Sequence, residues 1–403
     1  MRTRILRGAA AVGLLVVLSG SVVAAGPSQP PLKGEGKGLK IVANVPTGSG
    51  TDMEMATIKG REYAFVASRT VTDGPPGGLN VIDITKPENP KLVAKLPCNL
   101  NQGDIQLSHD LKTVIMAADS AGGPDGCLMV GKLGFMTIDI SNPLKPRPLG
   151  VAEISRGSHN TTAHPTKPFV YNSNSDQAGG PEIQIWSIKN PAKPKLVNTF
   201  ASLPHAPHDI AFNKNGSMAV TAARTHVDIL DTSDPANPTL LATTACPGCY
   251  LAHDAKFTPN GKYLIVGDEA AGGQAFPCPG GALYFYELVN GFVPVLRGIY
   301  EPGEVILARD DQGGPSSCTS HVFDVSDDST KIAISWYTAG TRYLDISNPV
   351  GPTFGEYGTG VKELGWFMPD GGDSWASKFH KGPYIYSNDI SRGFDVFKIT
   401  VKG

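Results

Sequence analysis

The stretch LNVIDITKPENPKLVAKL, Leu79 to Leu96, reads as a strand (Leu79–Ile84), a turn bracketed by prolines (Thr85–Pro90) and a second strand (Lys91–Leu96). Pro fixes φ and withholds its amide where no ladder bond is needed, so Pro87 and Pro90 suit the turn between two strands. Relatives of this stretch recur down the chain. They are FMTIDISNPLKPRPLGVAEI from Phe135, IQIWSIKNPAKPKLVNTF from Ile183 and VDILDTSDPANPTLLATT from Val227. Weaker copies are LYFYELVNGFVPVLRGIY from Leu283 and TRYLDISNPVGPTFGEYG from Thr341, and a half-copy, GFDVFKITVKG, starts at Gly393.

The equivalent positions Asp83, Asp139, Ser187, Asp231, Glu287, Asp345 and Lys398 are spaced by 56, 48, 44, 56, 58 and 53 residues. Units of this length are too long for leucine-rich or hexapeptide solenoids and match a four-stranded propeller blade. Upstream of the copies lies a second strand pair, as in HDIAFNKNGSMAVTAA from His208 and HDAKFTPNGKYLIVGD from His253. Asn-Gly in each supplies the positive φ that a tight hairpin requires. Each unit therefore carries strands A to D, from the channel outwards, with little room for helix. The seventh unit stops before its strand D, whereas LKIVANVP (Leu39–Pro46) matches KLVAKLP (Lys91–Pro97). The N-terminal strand is expected to close the ring as the outer strand of the last blade, removing an exposed sheet edge. The expected fold is all-β: one seven-bladed β-propeller spanning 39–403.

The V-I-D-I-S-N-P-x-x-P copies resemble the LVIVD repeat of secreted bacterial β-propeller proteins, as do the segments ISWYTAGTRYLDISNP from Ile334 and IYSNDISRGFDVFKI from Ile385. The resemblance covers nearly the whole chain after its leader and implies a fold more than an activity. A more distant similarity, in blade pattern and histidine usage alone, is to selenium-binding protein and methanethiol oxidase propellers, which are metal-linked. No catalytic residue carries over from them.

Charge is nearly balanced, with 35 Lys and Arg against 37 Asp and Glu in 403 residues. No basic field with interleaved aromatics points to nucleic acid. Arg2, Arg4 and Arg7, an apolar run Ala9–Val23 and the small residues Ala24 and Ala25 read as a cleavable export signal, residues 1–25. The apolar run is short for a membrane span, so no transmembrane segment is expected in the mature chain. Residues 26–38, rich in Pro, Gly and Lys, read as a flexible lead-in. The expected location is periplasmic or extracellular, where cysteines oxidise, and the expected state is a monomer.

Blade phase sorts the histidines. His109, His164 and His380 fall in A-to-B turns on one face. His159, His208, His253 and His321 occupy the same place in four consecutive blades, at the start of the innermost strand, where Thr51, Gly103 and Ser374 stand in the other three. His205 and His226 lie in neighbouring loops of that second face. Converging imidazoles are ligands for copper, zinc or iron, and Asp52, Asp104, Asp209, Asp254, Asp268 and Glu269 are candidates to ligate or to orient the rings, as is Asp119. The competing reading is structural: a histidine at this place pins a loop, and alternation puts a His and the following Asp on opposite faces of a strand.

The six cysteines, Cys98, Cys127, Cys246, Cys249, Cys278 and Cys318, all fall on the histidine face and permit 15 pairings. Adjoining loops favour Cys98–Cys127, with Cys278 expected to bond Cys246 or Cys249 and the other to bond Cys318. Long B-to-C insertions at Arg69–Gly78, Ser120–Gly134 and Ala270–Gly281 are candidate binding loops. Trp336, Tyr337, Trp366 and Trp375 read mainly as packing between blades. No Walker loop, dinucleotide glycine motif, nucleophile elbow or HExxH helix is present. Two functions follow as expectations. One is a secreted binding or scaffold protein presenting its stapled loop face to a ligand or partner. The other is a metal-dependent enzyme, oxidoreductase chemistry included, built on the four channel histidines.

Overall fold

The structure, a computed structural model, describes residues 30–70, 77–98, 103–119, 127–173, 182–270, 280–302, 318–351 and 360–401. The segment read as an export signal, Cys278 and most of the three long insertions lie outside these residues. Among the described residues the regular structure is antiparallel strand, arranged as seven sheets. Blade 1 is typical: Ser49–Ile58, Arg61–Arg69, Gly78–Asp83 and Lys91–Pro97 pair in chain order from the channel outwards. The fold is a seven-bladed β-propeller.

Middle strands are largely apolar because both of their faces are covered by neighbouring blades. Thr113–Ala118 and Tyr263–Asp268, for example, are buried at every position. Each hydrophobic cluster spans one blade junction. Phe65 and Val81 of blade 1 pack with Val114, Met116, Met136 and Ile138 of blade 2. Ala43, Val45 and Phe394 of blade 7 pack with Val66 and Ile82 of blade 1.

The repeated Asp explains the recurrence of the opening stretch. Asp83 Oδ1 accepts the Thr85 amide at 2.9 Å, Asp139 that of Ser141 at 2.9 Å, Asp231 that of Ser233 at 2.8 Å and Asp345 that of Ser347 at 2.8 Å. Each carboxylate starts the C-to-D turn by accepting the amide two residues on, and the Pro two residues further has no amide of its own to satisfy.

Ring closure follows the expected route. Leu39–Val45 pairs antiparallel with Gly393–Ile399, Leu39 opposite Ile399 and Val45 opposite Phe394. Asn44 Nδ2 donates to Asp395 Oδ1 at 2.8 Å, and buried Arg392 donates to the other oxygen at 2.9 Å, so a polar clasp backs the seam. The lead-in departs from expectation. Gly34–Lys37 is a strand that adds a fifth member to blade 6, with Gly34 opposite Pro369 and Lys37 opposite Trp366. A Cβ on Gly36 would lie 2.4 Å from the Phe367 ring, and one on Gly34 2.2 Å from the Met368 carbonyl. The glycines that suggest a linker are what permit this close approach.

The cysteines need one correction. Cys98 and Cys127 are bonded as expected, but Cys246 and Cys249 are bonded to each other. Pro247-Gly248 forms a tight turn, with Gly248 at φ +89° and the Cys249 amide donating to the Cys246 carbonyl at 3.1 Å. This brings the two Cα atoms to 5.4 Å, within disulfide reach, so neither is left for Cys278 or Cys318. Cys318 is also disulfide-bonded. These bridges belong to an oxidising compartment. Among the described residues no helix is long and apolar enough to cross a membrane.

Candidate metal centre

The four histidines at the starts of the innermost strands of blades 3 to 6 meet. Ring centroids of His159 and His208 are 4.7 Å apart, those of His208 and His253 4.4 Å, and those of His253 and His321 4.1 Å. Backbone bonds to strand B fix three of them: the amides of His159, His208 and His321 donate to the carbonyls of Ser173, Ala222 and Ser335. The His208 carbonyl is further held by Asn160 Nδ2 at 3.0 Å and Ser173 Oγ at 2.9 Å. His253 sits in a β-bulge, where the register of Ala252–Phe257 against Tyr263–Asp268 shifts between Ala252 and Asp254.

That bulge overturns the expectation from strict alternation. An extra residue resets the side-chain phase, so both His253 and Asp254 line the central cavity. The same irregularity falls between Gly50 and Met53, and there Thr51 and Asp52 both face the cavity.

Glu269, which follows strand B of blade 5, completes the cluster. One ligand atom each of His208, His253 and Glu269 lie within 4.8 Å of one another. Glu269 Oε2 is 3.7 Å from His253 Nε2, and Oε1 is 3.8 Å from His321 Nε2. Tyr337 donates its hydroxyl to Glu269 Oε1 at 2.6 Å. His321 Nδ1 donates to the Trp375 carbonyl at 2.7 Å, which fixes its tautomer and leaves the Nε2 lone pair facing the carboxyl group. The Nδ1 atoms of His208 and His253 are buried without a hydrogen-bond partner. His159 Nδ1 lies 3.2 Å from Asp119 Oδ2.

Burial governs the protonation of this site. It drives His208 and His253 well below the ordinary imidazole range, helped by neighbouring imidazoles, and takes His321 to about 3. Burial also raises Glu269 to about 8 against the opposing bond from Tyr337. At neutral pH the site thus holds three uncharged imidazoles with available lone pairs beside a carboxyl group. Nitrogen and carboxylate donors without thiolate fit copper, zinc or iron rather than a hard cation. His253 approaches the carboxyl group through Nε2, and the Nδ1 atoms of His208 and His253 are two further buried nitrogens without a protein partner.

Apart from Asp119, the other acids named from sequence are bonded to backbone amides rather than to the rings. Asp268 Oδ1 accepts the amides of Tyr250 and Leu251. Asp104 Oδ2 takes the Thr161 amide of the next blade at 2.7 Å, Asp52 that of Ile105 at 3.4 Å and Asp254 that of Phe323 at 3.3 Å. These three latch one inner strand to its neighbour. Asp209 departs from the pattern, accepting the amide of Ile210 in its own strand at 2.6 Å. Asp324, not singled out from sequence, latches Phe379 of blade 7 at 3.0 Å. Glu54, Lys256 and Lys378 also face the cavity unannounced. The signal for two of them is the strand period, since Glu54 and Lys256 stand two residues after Asp52 and Asp254.

The late aromatics divide. Trp336 is fully buried in the junction of blades 5 and 6, and Trp366 lies beneath the Arg342 guanidinium at 5.9 Å. Tyr337 and Trp375 instead flank His321, with centroids at 4.9 and 4.2 Å. His205 and His226 stack on each other at 3.9 Å away from the cluster, with His205 Nδ1 3.2 Å from Asp228 Oδ1.

No protein-family profile matches the chain, and no curated protein sequence does. Solved structures do. One is a functionally unknown protein from Desulfotomaculum acetoxidans DSM 771, 16% identical, with a TM-score of 0.55 and coverage of 78% of this chain and 89% of that one. Another is the β-propeller domain of Myceliophteria thermophila Cps50 (Swd1), 10% identical, with a TM-score of 0.60 and coverage of 89% and 99%. At these identities the likeness is one of fold: the chain shares the β-propeller architecture with both.

Proposed function

We propose that this chain is an exported β-propeller that binds one transition-metal ion between His208, His253, His321 and Glu269. The fold is consistent with a binding role, and the proposal names the ligand as copper, iron or zinc. The observation that carries it is the convergence of buried, uncharged imidazoles from adjacent blades, two with unpartnered Nδ1 atoms, on one carboxyl group. His321 shows the pinned arrangement, its Nδ1 donating to the Trp375 carbonyl, and the Nδ1 atoms of His208 and His253 have no such partner. The resemblance to LVIVD-repeat propellers and the leader at residues 1–25 support export.

A bound ion supplies Lewis acidity or one-electron transfer. The residues supply the rest. The Trp375 carbonyl orients His321, Asp119 orients His159, and Tyr337 holds Glu269 at the atom where a proton is stored or released. The test is elemental analysis of untagged protein, with the His208→Ala/His253→Ala double variant beside it. Stoichiometric copper, iron or zinc in the parent, absent from the variant, supports the reading. A parent that stays metal-free after exposure to all three ions, at full stability, removes it.

A further inference from the structure

The central cavity, of about 430 Å³, reaches His253, His321 and Trp375 at one end and the A-to-B turns of the opposite face at the other. Its outer rim carries Pro165, Lys214 and Asp327, all exposed, so it opens to solvent on that face. Phe212, Phe257 and Phe379, at the ends of inner strands, line the part nearest the rim. Deeper in stand the acids of the same layer of strands. Asp52, Asp104, Asp254 and Asp324 each accept an amide of the next blade. Asp209 does not: its Oδ1 takes the Ile210 amide of its own strand, and it forms no other hydrogen bond among the described residues. Its neighbour Asp254 is 1% exposed, and the Oδ1 atom is buried without a partner. The ammonium groups in the wall are already matched, Lys378 by Glu54 at 2.8 Å and Asp52 at 3.5 Å, and Lys256 by Asp254 Oδ2 at 2.8 Å. Burial, reinforced by the nearby Asp254 carboxylate, raises Asp209 to about 8, so at neutral pH Asp209 carries a proton and can donate it in a hydrogen bond. A hydroxyl group can accept from Asp209 and donate to Asp254 Oδ1 at once, which neither an ammonium nor a carboxylate can do. A wholly apolar ligand would cover both acids without a bond in return.

We propose that this cavity binds one small uncharged polyol, of the size of a monosaccharide, which enters through the A-to-B turn face. Asp209 and Asp254 share one of its hydroxyl groups, and the three phenylalanines cover its C–H surface. The volume lies within the range of small-molecule sites, roughly 300–1,000 Å³. The site stands apart from the metal centre: neither His208 nor Glu269 lines the cavity, and the polyol needs no bound ion. It also gives a reason for the one inner-strand acid that leaves the latch pattern.

The test is calorimetric titration of the full mature chain with D-glucose, N-acetyl-D-glucosamine and myo-inositol as neutral probes, and with putrescine and citrate as charged ones. Expected is saturable one-to-one binding of at least one neutral probe and of neither charged probe. Asp209→Ala is expected to weaken that binding about tenfold, the equivalent of one buried hydrogen bond. Asp209→Asn, whose amide keeps the Ile210 bond and still donates, is expected to restore most of it. Should Asp209→Ala fold poorly, Gln106→Trp decides the matter. Gln106 is a half-buried residue of the cavity wall, and an indole in its place fills the space and is expected to abolish binding. No binding of any neutral probe up to about 20 mM overturns the proposal. Binding of putrescine or citrate in place of a polyol overturns it too, as does polyol binding that neither Asp209→Ala nor Gln106→Trp alters.

Discussion

The outer hairpins and the starts of the innermost strands solve opposite problems in the same blades. An outer hairpin is complete in itself: one Asp, one amide two residues on and a Pro build the turn, and Asp83, Asp139, Asp231 and Asp345 do so within 0.1 Å of each other. Outer hairpins lie far apart, so nothing brings them into a common site. The inner strand starts meet around one axis, and there the blades differ. Four carry histidine, three carry Thr51, Gly103 or Ser374, and a bulge shifts the phase at His253. Repetition marks what each blade does alone, and departure from it marks what the blades do together.

The sharpest way to break that contrast is Asp254→Ala. It removes the Phe323 latch and leaves half-buried Lys256 without its nearest carboxylate, a loss of about 2–3 kcal/mol. Urea unfolding measures it, and a loss below about 1 kcal/mol would place the inner ring on a par with the outer hairpins. A smaller effect, visible through pH, tests the rim. Burial would raise the Glu62 carboxyl, but bonds from Lys381, Thr57 and His380 outweigh it and hold the group at about 2. A carboxylate depressed in the folded state contributes stability above its unfolded value, near 4.5, and loses it as pH falls towards 2. The stability gap between the parent and Glu62→Gln should therefore be larger at pH 6 than at pH 3, and a constant gap would rule the linkage out. The smallest effect belongs to a single hairpin. Asp231→Ala removes one local turn bond and should cost about 0.5–1 kcal/mol with no change in bound metal.

The architecture is legible in sequence because a propeller blade is a local object. The Pro-bracketed turns and the Asn-Gly hairpins are encoded within about twenty residues, and the match of Leu39–Pro46 to Lys91–Pro97 reveals the closing strand. Blade phase also places His159, His208, His253 and His321 together. What escapes is set by single-residue displacements. Alternation makes His253 and Asp254 alternatives, and only the bulge admits both to the channel. Asp209 and Asp254, the acids after the inner histidines, look like partners for imidazole, whereas backbone amides capture them, in its own strand for Asp209 and in the adjoining blade for Asp254. Glu269 is one of several acids beyond strand B, and nothing in its surroundings in sequence announces Tyr337, which lies 68 residues away and holds it. The Gly34–Lys37 strand hides behind glycine, whose linker-like composition conceals a packing requirement.

The seam in blade 7 has a consequence for how the ring assembles. Asn44 and Asp395 are 351 residues apart, and the strand that carries Asn44 has no other sheet to join. Five blades, and the four consecutive strands of blade 6, can pair from neighbouring sequence as they leave the ribosome or cross a membrane. The seventh waits for nearly the whole chain. Until then Leu39–Val45 and Gly393–Ile399 both present unpaired edges, the condition under which strands seek partners in other molecules. Loop closure over such a span is slow relative to hairpin formation, so the final docking of this one strand is expected to set the time at which the histidines first come into register.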